Sequence, residues 1–167
     1  MRGQLRCEAC PRWLSDKPSR LINLSLKGRN RLEMSEGGAR IVTAVLTHTA
    51  ITHGLHERGI CFREEGIYAI QNSPDCTKPQ GMHTDYTAAL VHHLKGGPCY
   101  PRSAIWAAHA QFMLMTRDHG AIVVPEGKVI FFLADFWHSG GPAMSSMPRY
   151  HGFQKPDWIP VPDGVYT

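Results

Sequence analysis

Two polar residues that bind metal ions in many proteins, His83 and Asp85, are separated by one position within the segment GMHTDYTAAL, residues 81–90. The segment has the composition of a β-strand, and side chains two residues apart on a strand lie on the same face. The imidazole and the carboxylate can therefore converge on one point. An H-x-D motif is expected about 0.4 times by chance in a chain of this composition, so the pair needs support from the rest of the sequence.

That support comes from two residues farther along the chain. His138 follows His83 by 55 positions and ends the apolar segment KVIFFLADFW. Arg149 follows 11 positions later, at the start of the next predicted strand. If the strands form a barrel, the end of the apolar strand places a third ligand at the mouth, opposite the first two, with a cation nearby.

The elements that must position these residues are mostly short strands. The chain has 167 residues, of which 43% are hydrophobic and 19% charged, as expected for one globular domain. Apolar residues near helical spacing, bounded by glycines, predict a helix over about 38–57. Later segments predict at least seven short strands and no crossover helix, which favours an antiparallel barrel or sandwich. These segments are 60–72 (a strand pair about Glu65 and Gly66), 81–94, 102–110, 111–117, the two strands of 120–141, and 149–154.

The ordered set of H-x-D, PEGKVIFF, a distal histidine and an arginine, with the ending HSGGPAMSSMPRYHGF, resembles the Fe(II)- and 2-oxoglutarate-dependent oxygenases. It is most similar to the phytanoyl-CoA dioxygenase-like branch and spans about residues 38–154. The resemblance implies a mainly β fold with an N-terminal helix and a double-stranded β-helix core, of the jelly-roll or cupin-like type. It also implies that His83, Asp85 and His138 are the metal ligands and catalytic centre, and that Arg149 binds the carboxylate of 2-oxoglutarate.

The residue types suit that chemistry. Two histidines and one carboxylate occupy one face of Fe(II) and leave positions for a 2-oxo acid and O₂. A guanidinium donates two parallel hydrogen bonds to a carboxylate. The expected reaction is hydroxylation or demethylation of an unidentified substrate, small or macromolecular, with succinate and CO₂ as coproducts. Gln71 and Asn72, at the end of the preceding strand, are candidate contacts to cosubstrate or substrate, and His151 shares a face with Arg149.

Two alternatives stay open. The same ligands occur in a cupin-like metal protein that does not use 2-oxoglutarate. A nucleic-acid-associated function is the other, because residues 1–31 hold eight Lys or Arg against two acidic residues and could contact nucleic acid or another acidic surface. The predicted organisation is a basic arm over 1–35, an oxygenase domain over 36–154 and a proline-rich tail over 155–167.

The five cysteines are expected to be reduced, because the amino terminus lacks the apolar run of a secretory signal. Cys7 and Cys10 form one C-x-x-C, which is either half of a zinc site or a pair of free thiols. The chain is expected to be soluble and intracellular, with no membrane partner.

Overall fold

The computed structural model describes residues 29–32, 34–55, 62–72, 76–86, 91–92 and 102–154. These form one long helix and eight strands. The helix is α1 (Glu36–Thr52), and the strands are β1 (Arg29–Leu32), β2 (Ile67–Asn72), β3 (Arg102–Trp106), β4 (Phe112–Thr116), β5 (Gly120–Val124), β6 (Val129–Leu133), β7 (His138–Gly140) and β8 (Arg149–Phe153). No helix in the described ranges is long and apolar enough to cross a membrane.

Helix α1 begins at a side-chain cap and buries one face. The hydroxyl of Ser35 accepts a hydrogen bond from the backbone N–H of Gly38 at 3.2 Å, which satisfies one of the free donors of the first turn. Val42, Leu46 and Ala50 are spaced by four residues and are all buried. The helix ends at Thr52, earlier than the predicted residue 57, because Gly54 adopts a positive φ of 67° that leaves the helical region.

The strands form two antiparallel sheets. The larger has the order β1-β2-β8-β3-β6 and the smaller the order β5-β4-β7. His83 adds a β-bridge to the free edge of β7, so the segment that contains it takes the fourth position of the smaller sheet. With β1 set aside, the eight segments form two four-membered sheets, and consecutive segments lie in different sheets except for β4 and β5, as in a jelly roll. The predicted fold class, a mainly β double-stranded β-helix with an N-terminal helix, is confirmed.

The hydrophobic core has two parts. The first lies between α1 and the outer face of the larger sheet and includes Leu46, Ala69, Ala104 and Tyr150. The second lies between the two sheets. It consists of Ile105, Ala107, Phe112, Leu114, Val124 and Phe132. Because alternate residues of a strand point to opposite faces, β8 contributes Tyr150 to the first core and has Arg149 and His151 on the other face.

The described part of the chain begins inside the predicted basic arm. Residues 29–32 form β1, which pairs with β2, and Leu32 is buried in the first core. The apolar Leu32 therefore anchors the end of the predicted arm at the edge of the larger sheet. In the remainder of the predicted arm, the structure describes Met34 and Ser35. The rest of the arm, which includes Cys7 and Cys10, lies outside the described residues, and so does the tail over 155–167.

Two predicted strands are shorter in the structure. Glu64–Gly66 forms a 3₁₀ turn before β2, closed by a bond from the N–H of Gly66 to the carbonyl of Arg63. After His83 the chain bends, because the hydroxyl of Thr84 donates to the carbonyl of Tyr86 at 2.7 Å and competes with a strand ladder. Asp85 therefore lies in a bend rather than in a strand.

Candidate metal-binding site

The two histidines of the predicted triad are brought together by backbone pairing. His83 and His138 face each other in an antiparallel bridge and exchange N–H to carbonyl hydrogen bonds of 2.9 and 3.0 Å. Residues directly opposite in such a bridge have side chains on the same face. The centroids of the two imidazole rings accordingly lie 4.7 Å apart.

Asp85 is held beside them by its neighbour Tyr86. The hydroxyl of Tyr86 donates to the carbonyl of Arg102 at 3.1 Å and accepts from the N–H of Gln154 at 3.0 Å. Burial raises the pKa of this hydroxyl, so it stays neutral and keeps its proton as a donor. These bonds tie the bend that carries Asp85 to the start of β3 and to the residue that follows β8.

The donor atoms of the triad converge. Oδ1 of Asp85 lies 3.6 Å from Nε2 of His138 and 4.0 Å from Nε2 of His83, and one donor atom from each residue lies within 4.8 Å of the others. Two donors at right angles on one ion, each about 2.1 Å from it, are separated by about 3 Å. To hold a metal ion, the two distances from Asp85 therefore have to shorten by about 0.6 and 1 Å, and no distance in the set by more than about 1.8 Å.

The histidines present the correct nitrogen. Nδ1 of His83 lies 2.8 Å from the carbonyl oxygen of Gly81, and Nδ1 of His138 lies 2.9 Å from that of Phe136. A carbonyl oxygen only accepts, so each Nδ1 must carry the proton. In the metal-binding form of each ring the lone pair is then on Nε2, the atom that faces Asp85, and the carbonyls fix the ring orientation as they do in known metal sites.

The ionisation states also suit a metal ion. Burial would raise the pKa of Asp85, but the facing imidazoles of His151 and His138 outweigh it and hold that pKa well below its ordinary value. Burial lowers the pKa of His138, against the opposite effect of Asp85. At neutral pH the site thus offers a carboxylate and a neutral imidazole, the forms that bind a metal.

A third histidine contacts the same carboxylate. Nε2 of His151 lies 3.2 Å from Oδ2 of Asp85, and its Nδ1 is in contact with the hydroxyl of Tyr68, the cross-strand neighbour of His151 on β2. The sequence places His151 on the face of Arg149, two positions away. It contains no signal for Tyr68, because the partner strand and its register are not visible in it.

Arg149 lies inside the fold. It begins β8 opposite Ile70, with only 6% of its surface exposed, and its guanidinium carbon is 5.3 Å from the ring centroid of Phe112. Residues 149 and 151 share a face of β8. Arg149 therefore points to the same side as His151, which contacts the triad, and carries a positive charge into the space between the sheets.

Gln71 is not brought to this site. It lies on the face of β2 opposite to Ile70, the partner of Arg149, and its amide donates to the carbonyl of Ser146 at 3.2 Å. The alternation of the strand therefore places the side chain of Gln71 on the face of β2 away from Arg149 and His151. Asn72 lies on the inner face, is 5% exposed, and its Oδ1 has no hydrogen-bond partner in the part of the chain that the structure describes.

Comparisons with known proteins report fold likeness only. No protein-family model matches the chain, and no curated protein matches it. Similar solved structures include an RmlC-like cupin protein from Desulfovibrio desulfuricans, with 12% identity, 52% of this chain and 68% of that chain covered and a TM-score of 0.36. Protein NMB1881 from Neisseria meningitidis shares 12% identity over 53% of this chain and 76% of its own, with a TM-score of 0.35.

A Pseudomonas putida prolyl-4-hydroxylase is also similar, with 16% identity, 77% of this chain and 73% of that chain covered and a TM-score of 0.45. All three TM-scores are below 0.5, so these likenesses carry no functional argument. Any functional assignment therefore depends on the strand order and on the geometry of the site.

Proposed function

We propose that this protein is an Fe(II)- and 2-oxoglutarate-dependent oxygenase, with His83, Asp85 and His138 as the metal ligands. The observation that carries the proposal is the convergence of these three donors from segments far apart in sequence. Two imidazoles and one carboxylate, with no fourth ligand from the described residues within the same 4.8 Å set, fit an open ferrous site. An ion held there has positions left for a cosubstrate and O₂.

The remaining residues supply orientation and shielding. Arg149 would bind the distal carboxylate of 2-oxoglutarate, because its buried guanidinium donates two parallel hydrogen bonds and stays charged at any working pH. Phe132 and Phe136 pack on the ring of His138 at centroid distances of 4.5 and 6.0 Å and keep water from that side of the site.

Bound iron would supply O₂ activation coupled to oxidative decarboxylation of the 2-oxo acid, which yields succinate and CO₂. The protein's own task is to hold the cosubstrate and the substrate at fixed positions beside the ion. The substrate to be hydroxylated or demethylated is unidentified.

The test is an anaerobic titration of the purified protein with Fe(II) and then with 2-oxoglutarate, followed in the visible spectrum. We expect a metal-to-ligand charge-transfer band to appear only after both are added. The Asp85→Ala variant, which lacks one ligand, is the matched control and should give no band. Fe(II) binding without the band would instead indicate a cupin-like metal protein that does not use 2-oxoglutarate, and no Fe(II) binding at all would overturn the metal site.

A further inference from the structure

The two carboxylate oxygens of Asp85 face different partners. Oδ1 is the atom closest to the Nε2 atoms of His83 and His138, at 4.0 and 3.6 Å. Oδ2 lies 3.2 Å from Nε2 of His151. Both Oδ2 and this Nε2 are buried, and neither has a well-aligned hydrogen bond among the described residues. Oδ1 thus faces the other two proposed ligands, and Oδ2 faces His151.

The protonation of His151 follows from its two contacts. The oxygens of a carboxylate can only accept, so an attractive contact with Oδ2 at 3.2 Å requires a proton of His151 on Nε2. In the tautomer with the proton on Nε2, Nδ1 has the lone pair and can accept the hydroxyl proton of Tyr68, which lies in direct contact with it. Tyr68 and His151 are opposite each other on β2 and β8, so the backbone register fixes this chain of three side chains.

We infer that His151 is a positioning residue for the metal site: with Tyr68 fixing its tautomer, it holds Oδ2 of Asp85 so that only Oδ1 is left for the ion. This inference rests on the proposed metal site. A carboxylate bound through one oxygen occupies one coordination position, whereas a bidentate carboxylate occupies two. His151 would therefore keep open a position that the cosubstrate or O₂ needs.

His151 is not a fourth ligand in this arrangement. The donor atoms that lie within 4.8 Å of one another, across the described part of the chain, come from His83, Asp85 and His138. Nε2 of His151 carries the proton when it faces Oδ2, and a protonated nitrogen has no lone pair for a metal. Its contact is with the carboxylate.

The test uses Co(II) as the probe, because its visible bands report coordination number and it requires no cosubstrate. We expect His151→Leu to weaken Co(II) binding by about 10- to 100-fold, the usual effect of losing a residue that orients a metal ligand. Its visible bands should also weaken, since a freed carboxylate binds through both oxygens and raises the coordination number. His151→Gln, whose amide N–H can replace Nε2–H, should recover the wild-type spectrum and bind within about threefold of wild type.

Tyr68→Phe keeps the shape of the ring and removes only the hydroxyl, so it tests the inference even if His151→Leu folds poorly. We expect it to weaken Co(II) binding less than His151→Leu does and to alter the bands in the same direction. The matched control is His109→Leu, because His109 also contacts a tyrosine hydroxyl, that of Tyr150 at 2.9 Å, but on the other face of β8.

The outcomes separate the inference from the proposed function. Wild-type affinity and an unchanged spectrum in both His151→Leu and Tyr68→Phe would overturn the role of His151 and leave the metal site intact. Equal losses in His109→Leu would show a general structural effect and would also overturn it. A wild-type protein that does not bind Co(II) would overturn the metal site, and the inference with it.

Discussion

Replacing Arg149 by methionine tests the assignment of the cosubstrate pocket. Methionine fills much of the volume of the buried arginine stem over Phe112 but has no charge and no donor. Two charge-assisted hydrogen bonds to a carboxylate, at about 1.5–3 kcal/mol each, amount to about 3–6 kcal/mol. Their loss should weaken 2-oxoglutarate binding by about two to four powers of ten. Fe(II) affinity should be nearly unchanged, because Arg149 is not one of the ligands.

The assay is the anaerobic visible titration, with Fe(II) saturating and 2-oxoglutarate varied. Arg149→Lys keeps the charge without the planar fork, so we expect a smaller loss, of about one to two powers of ten. Arg117→Met is the matched control, because Arg117 also lies over an aromatic ring, 5.4 Å from the centroid of Trp137, but it is exposed. Equal 2-oxoglutarate affinity in wild type and Arg149→Met would refute the assignment, as would a parallel loss of Fe(II) affinity.

Two further predictions concern stability, measured by urea unfolding of the metal-free protein. Gly152→Ala should lower the free energy of unfolding by about 1–3 kcal/mol, because the added Cβ would lie 2.5 Å from Cδ1 of Leu46 in the filled core. An unchanged free energy of unfolding would show that α1 moves away from β8 without cost. Burial lowers the pKa of His109 below 6.5, so the unfolded chain takes up a proton first as the pH falls. The free energy of unfolding of wild type, relative to His109→Gln, should therefore decrease as the pH falls through 6.5, whereas parallel pH profiles would contradict this reasoning.

The fold class could be predicted from the sequence because the patterns that indicate its strands and its helix are local. Alternating apolar residues and turn residues mark the strands from β3 to β6, and spaced apolar residues mark α1. Two boundaries seen in the structure depend on features that a local pattern does not reveal. The helix end depends on the conformation of Gly54, and the entry of residues 29–32 into the sheet depends on pairing with β2. That pairing is non-local and leaves no periodic pattern in a four-residue segment.

The candidate site could be predicted from the sequence only in part, because non-local strand pairing decides which of its residues face one another. The H-x-D pair and the distal histidine are residue types with characteristic spacing, and the structure places their donor atoms together. Adjacent residues of a strand face opposite sides, so only one of Gln71 and Asn72 can face the interior. The register of β2 with β8 shows that it is Asn72. The contact of Tyr68 with His151 depends on the same register.

Strand β8 connects the candidate site to the stability of the fold. Its inward residues, Arg149 and His151, face the space between the sheets, and its outward residues, Tyr150 and Gly152, face the core under α1. The missing side chain at Gly152 lets α1 approach closely, and that approach helps to set the position of the whole strand. A displacement of β8 at Gly152 is therefore expected to move His151 relative to Asp85 as well, because both residues lie in one strand that is paired with β2 on one side and with β3 on the other. For this reason, the packing of α1 against Gly152 and the contact of His151 with Asp85 are expected to change together.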